Sequence, residues 1–193
     1  MSTASAIRAN LLESARVHTN TAISQGRAIA RAAALMSAAM RRGRKIIWFG
    51  NGGSATQSQH MAAEFVGRFL RERRSLPSLS LTENMASVTA IGNDYDYESI
   101  FARQLEGLGR RGDVAVGLST SGSSPNVLAG LRKAKAMGLA TIGLTSANGV
   151  RMQPLCDVCI MVPSTQTARI QEAHLTIGHV LCGLVEDALI RPR

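Results

Sequence analysis

His60 and Glu64 have the residue types and the spacing of a proton-transfer pair or of two metal ligands. They stand four positions apart in "HMAAE", and on a helix with about 3.6 residues per turn this spacing places both side chains on one face. An imidazole and a carboxylate held together can move protons near neutral pH, and both are common ligands of divalent metals. An exposed polar pair without a function has the same spacing, so the pair alone leaves these three interpretations open.

The segment "RIQEAHLTIGHVLCGLVED" places a second group of polar side chains in an otherwise apolar helix. These residues are Gln171, Glu172, His174 and His179. Because His179 has apolar neighbours, we expect it to be largely buried, either as an ordinary core histidine or as part of a site. On a helical wheel Glu172 lies about 20° from His179, and Gln171 lies about 80° from it. Helix geometry alone therefore pairs Glu172 with His179.

Two clusters of glycine and hydroxyl residues follow apolar segments and could bind phosphate. In Gly50–Ser54 ("GNGGS") the glycines allow backbone N–H groups to converge, and Ser54 can cap the helix that follows. Ser119–Pro125 ("STSGSSP") supplies five hydroxyl groups before a proline suited to the first turn of a helix, whose N-terminus attracts anions. Ordinary turns contain similar clusters. Neither cluster is a P-loop, and Ala55 replaces the last glycine of a dinucleotide-binding motif, so a phosphorylated small molecule is favoured over a nucleotide.

Two further pairs of residues are less specific. Asn93 and Asp94 follow a short helical segment, where they could cap a helix or a turn, or bind a polar ligand. Cys156 and Cys159 match a C-x-x-C pattern within an apolar strand, where side chains three positions apart point to opposite faces. We therefore expect buried, reduced thiols rather than a zinc or redox site.

The elements that position these residues are five short apolar strands alternating with helices. The predicted strands lie at 46–49 and within 77–82, 113–124, 140–149 and 157–163, and the predicted helices cover 54–71, 95–110, 125–137 and 168–190. This alternation predicts an α/β fold in which helices cover both faces of a parallel sheet, a three-layer sandwich. Residues 4–40 form one long helix or two consecutive ones outside this pattern. The apolar stripe of this N-terminal segment, residues 1–42, needs a partner, so we expect a homo-oligomer.

Length and charge narrow the class of protein. The 193 residues, 45% of them hydrophobic, fit a single domain over 1–193. The net charge is +9, but the basic residues form small groups, such as 41–45, 68–74 and 191–193, without interleaved aromatic side chains. We therefore expect weak attraction of anionic substrates and no dedicated nucleic-acid site. No apolar run approaches the ~20 residues of a membrane span, and the N-terminus is unlike a secretory signal, so we expect a cytoplasmic protein without membrane association.

Four segments together resemble one known family. "FGNGGSATQSQHMAAEFVGRF", "IGNDYDYESIF", "STSGSSPNVL" and "ARIQEAHLTIGHVL", in this order and spacing, are similar to the phosphoheptose isomerases of the sugar isomerase (SIS) superfamily. The resemblance extends over essentially the whole chain. It implies a five-stranded parallel sheet and a homotetramer with active sites between subunits. It also implies conversion of D-sedoheptulose 7-phosphate to D-glycero-D-manno-heptose 7-phosphate, the first step of nucleotide-activated heptose biosynthesis.

The resemblance also implies a role for each residue of the motifs. It implies substrate contacts from Asn51, Gly52, Gly53, Ser54, Glu64 and Gln171, sugar contacts from Asn93 and Asp94, and phosphate contacts from Ser119, Thr120, Ser121 and Ser124. It implies one zinc ion per subunit with the ligands His60, Glu64, Gln171 and His179. Glu64 and His179 would be the acid–base pair. The resemblance thus replaces Glu172 by Gln171 as the partner of His179.

A non-catalytic member of the same superfamily, which binds the bacterial replication initiator, is the alternative. That relative lacks the acidic residue at the position of Glu64 and the histidine at the position of His179. Both residues are present in this chain. The resemblance therefore favours the isomerase.

Overall fold

The computed structural model describes residues 2–190, so Met1 and the last basic group, residues 191–193, lie outside the described residues. A five-stranded sheet is covered by helices on both faces, which confirms the predicted α/β sandwich. The elements in chain order are α1 (Thr3–Arg41), β1 (Ile46–Gly50), α2 (Gly53–Val66), β2 (Ser78–Ser80), α3 (Met85–Asp94), α4 (Ile100–Leu108), β3 (Val114–Leu118), α5 (Pro125–Ala136), β4 (Ala140–Ser146), a 3-10 turn (Gln153–Leu155), β5 (Val158–Val162) and α6 (Thr167–Ile190).

The sheet is parallel throughout, with the strand order β2-β1-β3-β4-β5. β1 and β3 are buried at every residue, as expected of central strands covered on both faces. In the pairing of β1 with β3, Gly50 lies opposite Leu118. The two loops that leave these strands therefore begin side by side at the same edge of the sheet.

Alternate side chains along the central strands pack into two separate cores, one on each face of the sheet. One core lies between the sheet and α1, α2 and α6, and includes Trp48, Phe65 and Ile177. The other lies between the sheet and α4 and α5, and includes Phe49 and Phe101, whose ring centroids are 5.1 Å apart. β1 and β3 thus support helices on both of their faces, because successive side chains of a strand point in opposite directions.

Two predicted helix boundaries differ from the observed ones. The helix expected over 54–71 ends at Val66, where Gly67 follows and its N–H donates to the Ala63 carbonyl oxygen at 2.8 Å. The helix expected over 95–110 begins only at Ile100, because the Asp96 carboxylate accepts the Ser99 N–H at 2.7 Å and closes a turn before it. The N-terminal segment is one continuous helix.

α6 is the central helix of the first core. Within residues 2–190, α6 is the helix whose length and apolar composition would allow it to cross a bilayer. No segment of this kind was expected from the sequence. α6 nevertheless packs along α1 and α2, and it buries His174 and Glu186 together with its apolar residues. These contacts identify α6 as a core helix of the sandwich.

Candidate active site

The glycine loop after β1 is shaped by close backbone approach. A Cβ atom on Gly50 would lie 2.9 Å from the Leu118 carbonyl oxygen, so a side chain at this position would separate β1 from β3. α2 begins at Gly53, and its N-cap Gly52 has a φ of 54° and makes no side-chain cap hydrogen bond. Ser54 is buried within the first turn, so the expectation that it caps the helix is wrong.

Asn51 is held by a partner that the sequence interpretation missed. Its side-chain amide exchanges two hydrogen bonds of 2.8 Å with the amide of buried Asn126, in the first turn of α5. The Tyr97 hydroxyl donates to Asn51 Oδ1 at 3.3 Å. Asn126 follows Pro125 in "SSPNV", so its position in the first helical turn after the hydroxyl cluster was the signal that could have identified it.

The hydroxyl loop after β3 folds around Ser119. Ser119 Oγ lies 3.0 Å from Ser124 Oγ and 3.4 Å from Ser121 Oγ, and it accepts the Gly122 N–H at 3.1 Å. α5 begins immediately afterwards at Pro125, as predicted. The hydroxyl groups therefore converge at the N-terminus of a helix, where an anion is favoured.

A polar cavity of about 230 Å³ adjoins this loop. Its lining includes Thr120, Ser121, Ser146, Asn148, Thr165 and Thr167. Thr167 is the first residue of α6, so a second helix N-terminus contributes to the cavity. The last four of these residues were missed from the sequence because Ser146 ends β4 and the others follow β4 or β5, whereas the hydroxyl cluster in the sequence follows β3.

α2 and α6 bring together His60, Glu64 and His179. His60 Nε2 lies 2.9 Å from a Glu64 carboxylate oxygen, and the ring centroids of His60 and His179 are 5.1 Å apart. One ligand atom from each of the three residues lies within 4.8 Å of the others. Two imidazoles and one carboxylate on adjacent helices form a donor set that suits zinc, and a four-coordinate ion would take one ligand besides these three. The residues thus fit a metal ion.

The helical-wheel pairing of Glu172 with His179 is wrong. Glu172 accepts a 2.7 Å hydrogen bond from Ser14 on α1, and its other oxygen lies 2.8 Å from Arg169. α1 covers the face of α6 that carries Glu172, whereas His179 faces α2. A wheel drawn for α6 alone contains no information about these neighbours.

The buried histidine of α6 is His174, not His179. His179 is only half-buried, whereas His174 is 1% exposed and its Nε2 bonds the Thr145 carbonyl oxygen at 3.1 Å. Its Nδ1 is a buried atom without a hydrogen-bond partner. Burial lowers the pKa of His174 to about 4, because the charged ring would lose its hydration.

Gln171 lies against the start of α2, beside the glycine loop. A Cβ atom on Gly53 would be only 2.6 Å from Gln171 Nε2, so the side-chain amide rests against the first residue of α2. The Gln171 carbonyl oxygen accepts a 2.7 Å hydrogen bond from Gln57 Nε2. Gly53 must therefore lack a side chain for Gln171 to occupy this place.

Asn93 and Asp94 are the last two residues of α3, rather than residues that follow it. They are exposed, and Asn93 Nδ2 donates to Asp94 Oδ1 at 2.8 Å. The next loop carries Tyr97, which reaches Asn51. The structure thus connects the segment after α3 with the glycine loop.

The argument that separated Cys156 from Cys159 is wrong, because Cys156 precedes β5. Both Sγ atoms lie near Gly143, since a Cβ atom there would be 2.7 Å from Cys156 Sγ and 3.4 Å from Cys159 Sγ. Both cysteines are free thiols. Within residues 2–190, the grouping of three or more histidine, cysteine or acidic side chains that could bind a metal is His60, Glu64 and His179.

Comparison with known proteins assigns the chain to a family. The sequence profile of the SIS domain matches residues 11–146. The phosphoheptose isomerase of Rhodospirillum rubrum is 54% identical over 162 residues, which cover 84% of this chain and 86% of the relative. The chain belongs to the phosphoheptose isomerase family of SIS-domain proteins. The function class is therefore that of a sugar-phosphate isomerase, and the alternative of a non-catalytic initiator-binding protein is not favoured.

Solved structures of the family share the whole fold. The phosphoheptose isomerase of Neisseria gonorrhoeae superposes with a TM-score of 0.91 at 35% identity, covering 96% of this chain and 100% of that one. The phosphoheptose isomerase of Francisella tularensis gives a TM-score of 0.93 at 34% identity, covering 97% and 100%. The five-stranded sheet and its long first helix thus belong to the family's architecture.

Proposed function

We propose that this phosphoheptose isomerase converts D-sedoheptulose 7-phosphate to D-glycero-D-manno-heptose 7-phosphate at the site formed by α2, α6 and the loops after β1 and β3. The observation that carries the proposal is the convergence of His60, Glu64 and His179, whose ligand atoms lie within 4.8 Å of one another. The loop after β3, which begins beside the loop that leads into α2, holds a group of hydroxyl side chains. One end of the site thus suits proton transfer, and the other suits a phosphate.

The phosphate is bound by Ser119, Thr120, Ser121 and Ser124. These residues offer hydroxyl donors without a cationic side chain, and the N-terminus of α5 supplies a favourable dipole. The contact between Asn51 and Asn126 fixes the side chain of Asn51 beside this loop. Asn51, Gly52, Gly53, Ser54, Glu64, Gln171, Asn93 and Asp94 complete the proposed substrate-binding set.

Glu64 acts as the base at carbon and His179 transfers protons at oxygen. In the ketose-to-aldose direction, a proton leaves C1 and returns to C2, while the hydroxyl proton at O1 is lost and one is gained at O2. A carboxylate serves the first transfer and an imidazole serves the second near neutral pH. His60 orients Glu64 through the 2.9 Å contact between them.

The metal ion is zinc, one per subunit, with His60, Glu64 and His179 as ligands. Bound zinc would polarise the substrate carbonyl and stabilise negative charge on the neighbouring oxygens. Gln171 is proposed as the fourth ligand on the resemblance to the family. The same resemblance supports a cytoplasmic homotetramer in which the active sites lie between subunits.

The function is tested with purified protein, zinc and sedoheptulose 7-phosphate, by following the formation of the aldoheptose phosphate. We expect Glu64→Gln and His179→Ala to lower kcat by about 10²–10⁴-fold, the usual contribution of general acid–base catalysis. Glu106→Gln is the control, because this carboxylate pairs with Lys133 between α4 and α5, on the other face of the sheet. Near-wild-type turnover by a folded Glu64 or His179 variant would refute the assigned roles.

The metal is tested by elemental analysis after purification without chelators. We expect about one zinc per chain in the wild type and a clear loss in His60→Ala, because two imidazoles and a carboxylate supply the site. Cys159→Ser is the control, since Cys159 lies at β5 and away from α2. Equal zinc contents in wild type and His60→Ala would contradict the ligand assignment.

A further inference from the structure

The segment after α2 is irregular and mostly exposed, yet a few of its side chains, including those of Phe69 and Arg73, point inward. Residues 67–77 form no helix or strand, and Leu70, for example, is 70% exposed. Phe69 is partly buried against the first core, and the side chain of Arg73 is only 5% exposed. An irregular segment requires specific contacts to hold one conformation, because its backbone has no ladder of its own.

Arg73 binds the segment to the C-terminal end of α2. Its Nη2 donates to the Glu64 carbonyl oxygen at 2.8 Å, and its Nη1 donates to the carbonyl oxygens of Phe65 and Gly67 at 2.9 Å each. The last carbonyl groups of a helix have no partners within it, and a cation is favoured there. Arg73 therefore caps the helix at Glu64 itself, a residue of the metal cluster.

Glu186 binds the same segment to α6. Its carboxylate accepts the backbone N–H groups of Phe69, Leu70 and Arg71 at 2.9, 2.9 and 3.1 Å. It also accepts Arg73 Nε at 2.9 Å, and its side chain is 1% exposed. A buried ion pair with every oxygen occupied is strongly directional, so it fixes the backbone at Phe69.

The fixed backbone places the Phe69 ring on His179. The two ring centroids are 5.3 Å apart and the rings are inclined by only 15°, which is a stacked arrangement. Gly183, one turn after His179, lies beside the ring, and a Cβ atom there would be in ordinary van der Waals contact with Phe69 at 3.7 Å. His60 meets His179 edge-on on the metal side. His179 therefore contacts two rings, one face to face and one edge to face.

We propose that Phe69 is a positioning residue for His179, held in place by the buried ion pair of Arg73 and Glu186. An imidazole turns about two side-chain torsions, and a stacked ring restricts both, so the ring nitrogen stays directed towards Glu64 and His60. This inference rests on the proposed function, because it assigns the aligned His179 to metal binding and proton transfer.

The test compares Phe69→Leu with Phe69→Tyr. Leucine keeps apolar contact but removes the flat ring, whereas tyrosine keeps the stack. We expect Phe69→Leu to weaken zinc affinity by about 10-fold or more, measured by competition with a chelating dye, as is usual for residues that orient metal ligands. We expect kcat to fall by a similar factor with KM changed less than about 3-fold, and Phe69→Tyr to restore both. Leu70→Ala, at the exposed neighbouring residue, is the matched control.

A second variant tests the route through the ion pair. Arg73→Lys cannot reproduce the hydrogen bonds that the guanidinium donates to four carbonyl groups, so it should lower both kcat and zinc affinity. If Arg73 acts through Phe69, the double variant with Phe69→Leu loses little more than Phe69→Leu alone. Phe69→Leu with wild-type kcat and zinc affinity would overturn the proposal.

A wild type that binds zinc but does not turn over sedoheptulose 7-phosphate would instead refute the proposed function. The comparison of zinc affinities would then still test whether Phe69 positions His179.

Discussion

Gly122 fixes the shape of the hydroxyl loop by its conformation and by its lack of a side chain. Its φ is 64°, and a Cβ atom would lie 2.3 Å from the Gly149 Cα and 2.7 Å from Thr145 Oγ1. The loops after β3 and β4 therefore touch backbone to backbone at this point. The Gly122 N–H in turn holds Ser119 Oγ, so the hydroxyl array depends on this contact.

Gly122→Ala is expected to raise KM for the sugar phosphate by about 10-fold or more and to destabilise the fold by ~1–3 kcal/mol, because both the φ and the contact become strained. Steady-state kinetics and thermal unfolding measure the two effects. Gly107→Ala is the control, since a Cβ atom on this α4 residue meets nothing within 4 Å. Gly107→Ala should leave KM unchanged and should unfold at a slightly higher temperature. An unchanged KM in Gly122→Ala would contradict a role of this loop in substrate binding.

His174 is expected to make the fold sensitive to mild acid. Its folded pKa of about 4 lies below the ordinary 6.5, so the unfolded chain binds the extra proton first as the pH falls. Stability is thus unaffected well above pH 6.5 and decreases from there towards pH 4, by about 3 kcal/mol in total from this residue. Urea unfolding at pH 7.5 and pH 5 measures the decrease. His174→Gln should show a smaller decrease between the two values, and an equal decrease in both proteins would disprove the assignment.

At the scale of elements, only part of the apolar surface of α1 is buried within the single chain. Its second half is buried against β5 and α6, with Ile29 and Met36 in the first core. Its first half leaves Ile7, Leu11 and Leu12 between 57% and 66% exposed. Several apolar side chains exposed on one long helix are typical of an interface between subunits.

Leu11→Glu is expected to reduce the mass of the oligomer measured by light scattering, because a charge would be buried in the interface. Ser24→Glu is the control, as Ser24 is exposed and lies about 140° around the helix from Leu11. We expect a tetramer for wild type and control, and smaller species for Leu11→Glu. Identical masses for all three proteins would place the interface elsewhere.

The strands and most helices could be predicted from the sequence, whereas the positions at which helices begin and end could not. Apolar runs such as "IIWF" and glycine-terminated loops identify buried strands without knowledge of their neighbours. The turn before α4 depends on the hydrogen bond from Ser99 to Asp96, and a four-residue turn of this kind leaves little periodic signal in the sequence. Helix ends are therefore decided by single hydrogen bonds.

At the scale of the whole molecule, site residues on neighbouring loops could be predicted, but partners between helices could not. The loops after β1 and β3 meet because adjacent parallel strands end at one edge. The partner of His179 depends on which helix covers each face of α6, and Glu172 is taken by α1. Asn126, Phe69 and Glu186 were missed for the same reason, since each acts on a residue distant in sequence.

The packing of α1 along α6 determines when the fold can be completed during synthesis of the chain. The first helix finds its main partner in the last one, and residues 42–166 must be made between them. At ~5–20 residues per second, the buried face of α1 stays uncovered for roughly 6–25 s on the ribosome. His60 and Glu64 on α2 likewise remain without His179 until α6 has been synthesised. The nascent chain therefore brings His179 to His60 and Glu64 and buries its first helix in the same late step, when α6 emerges.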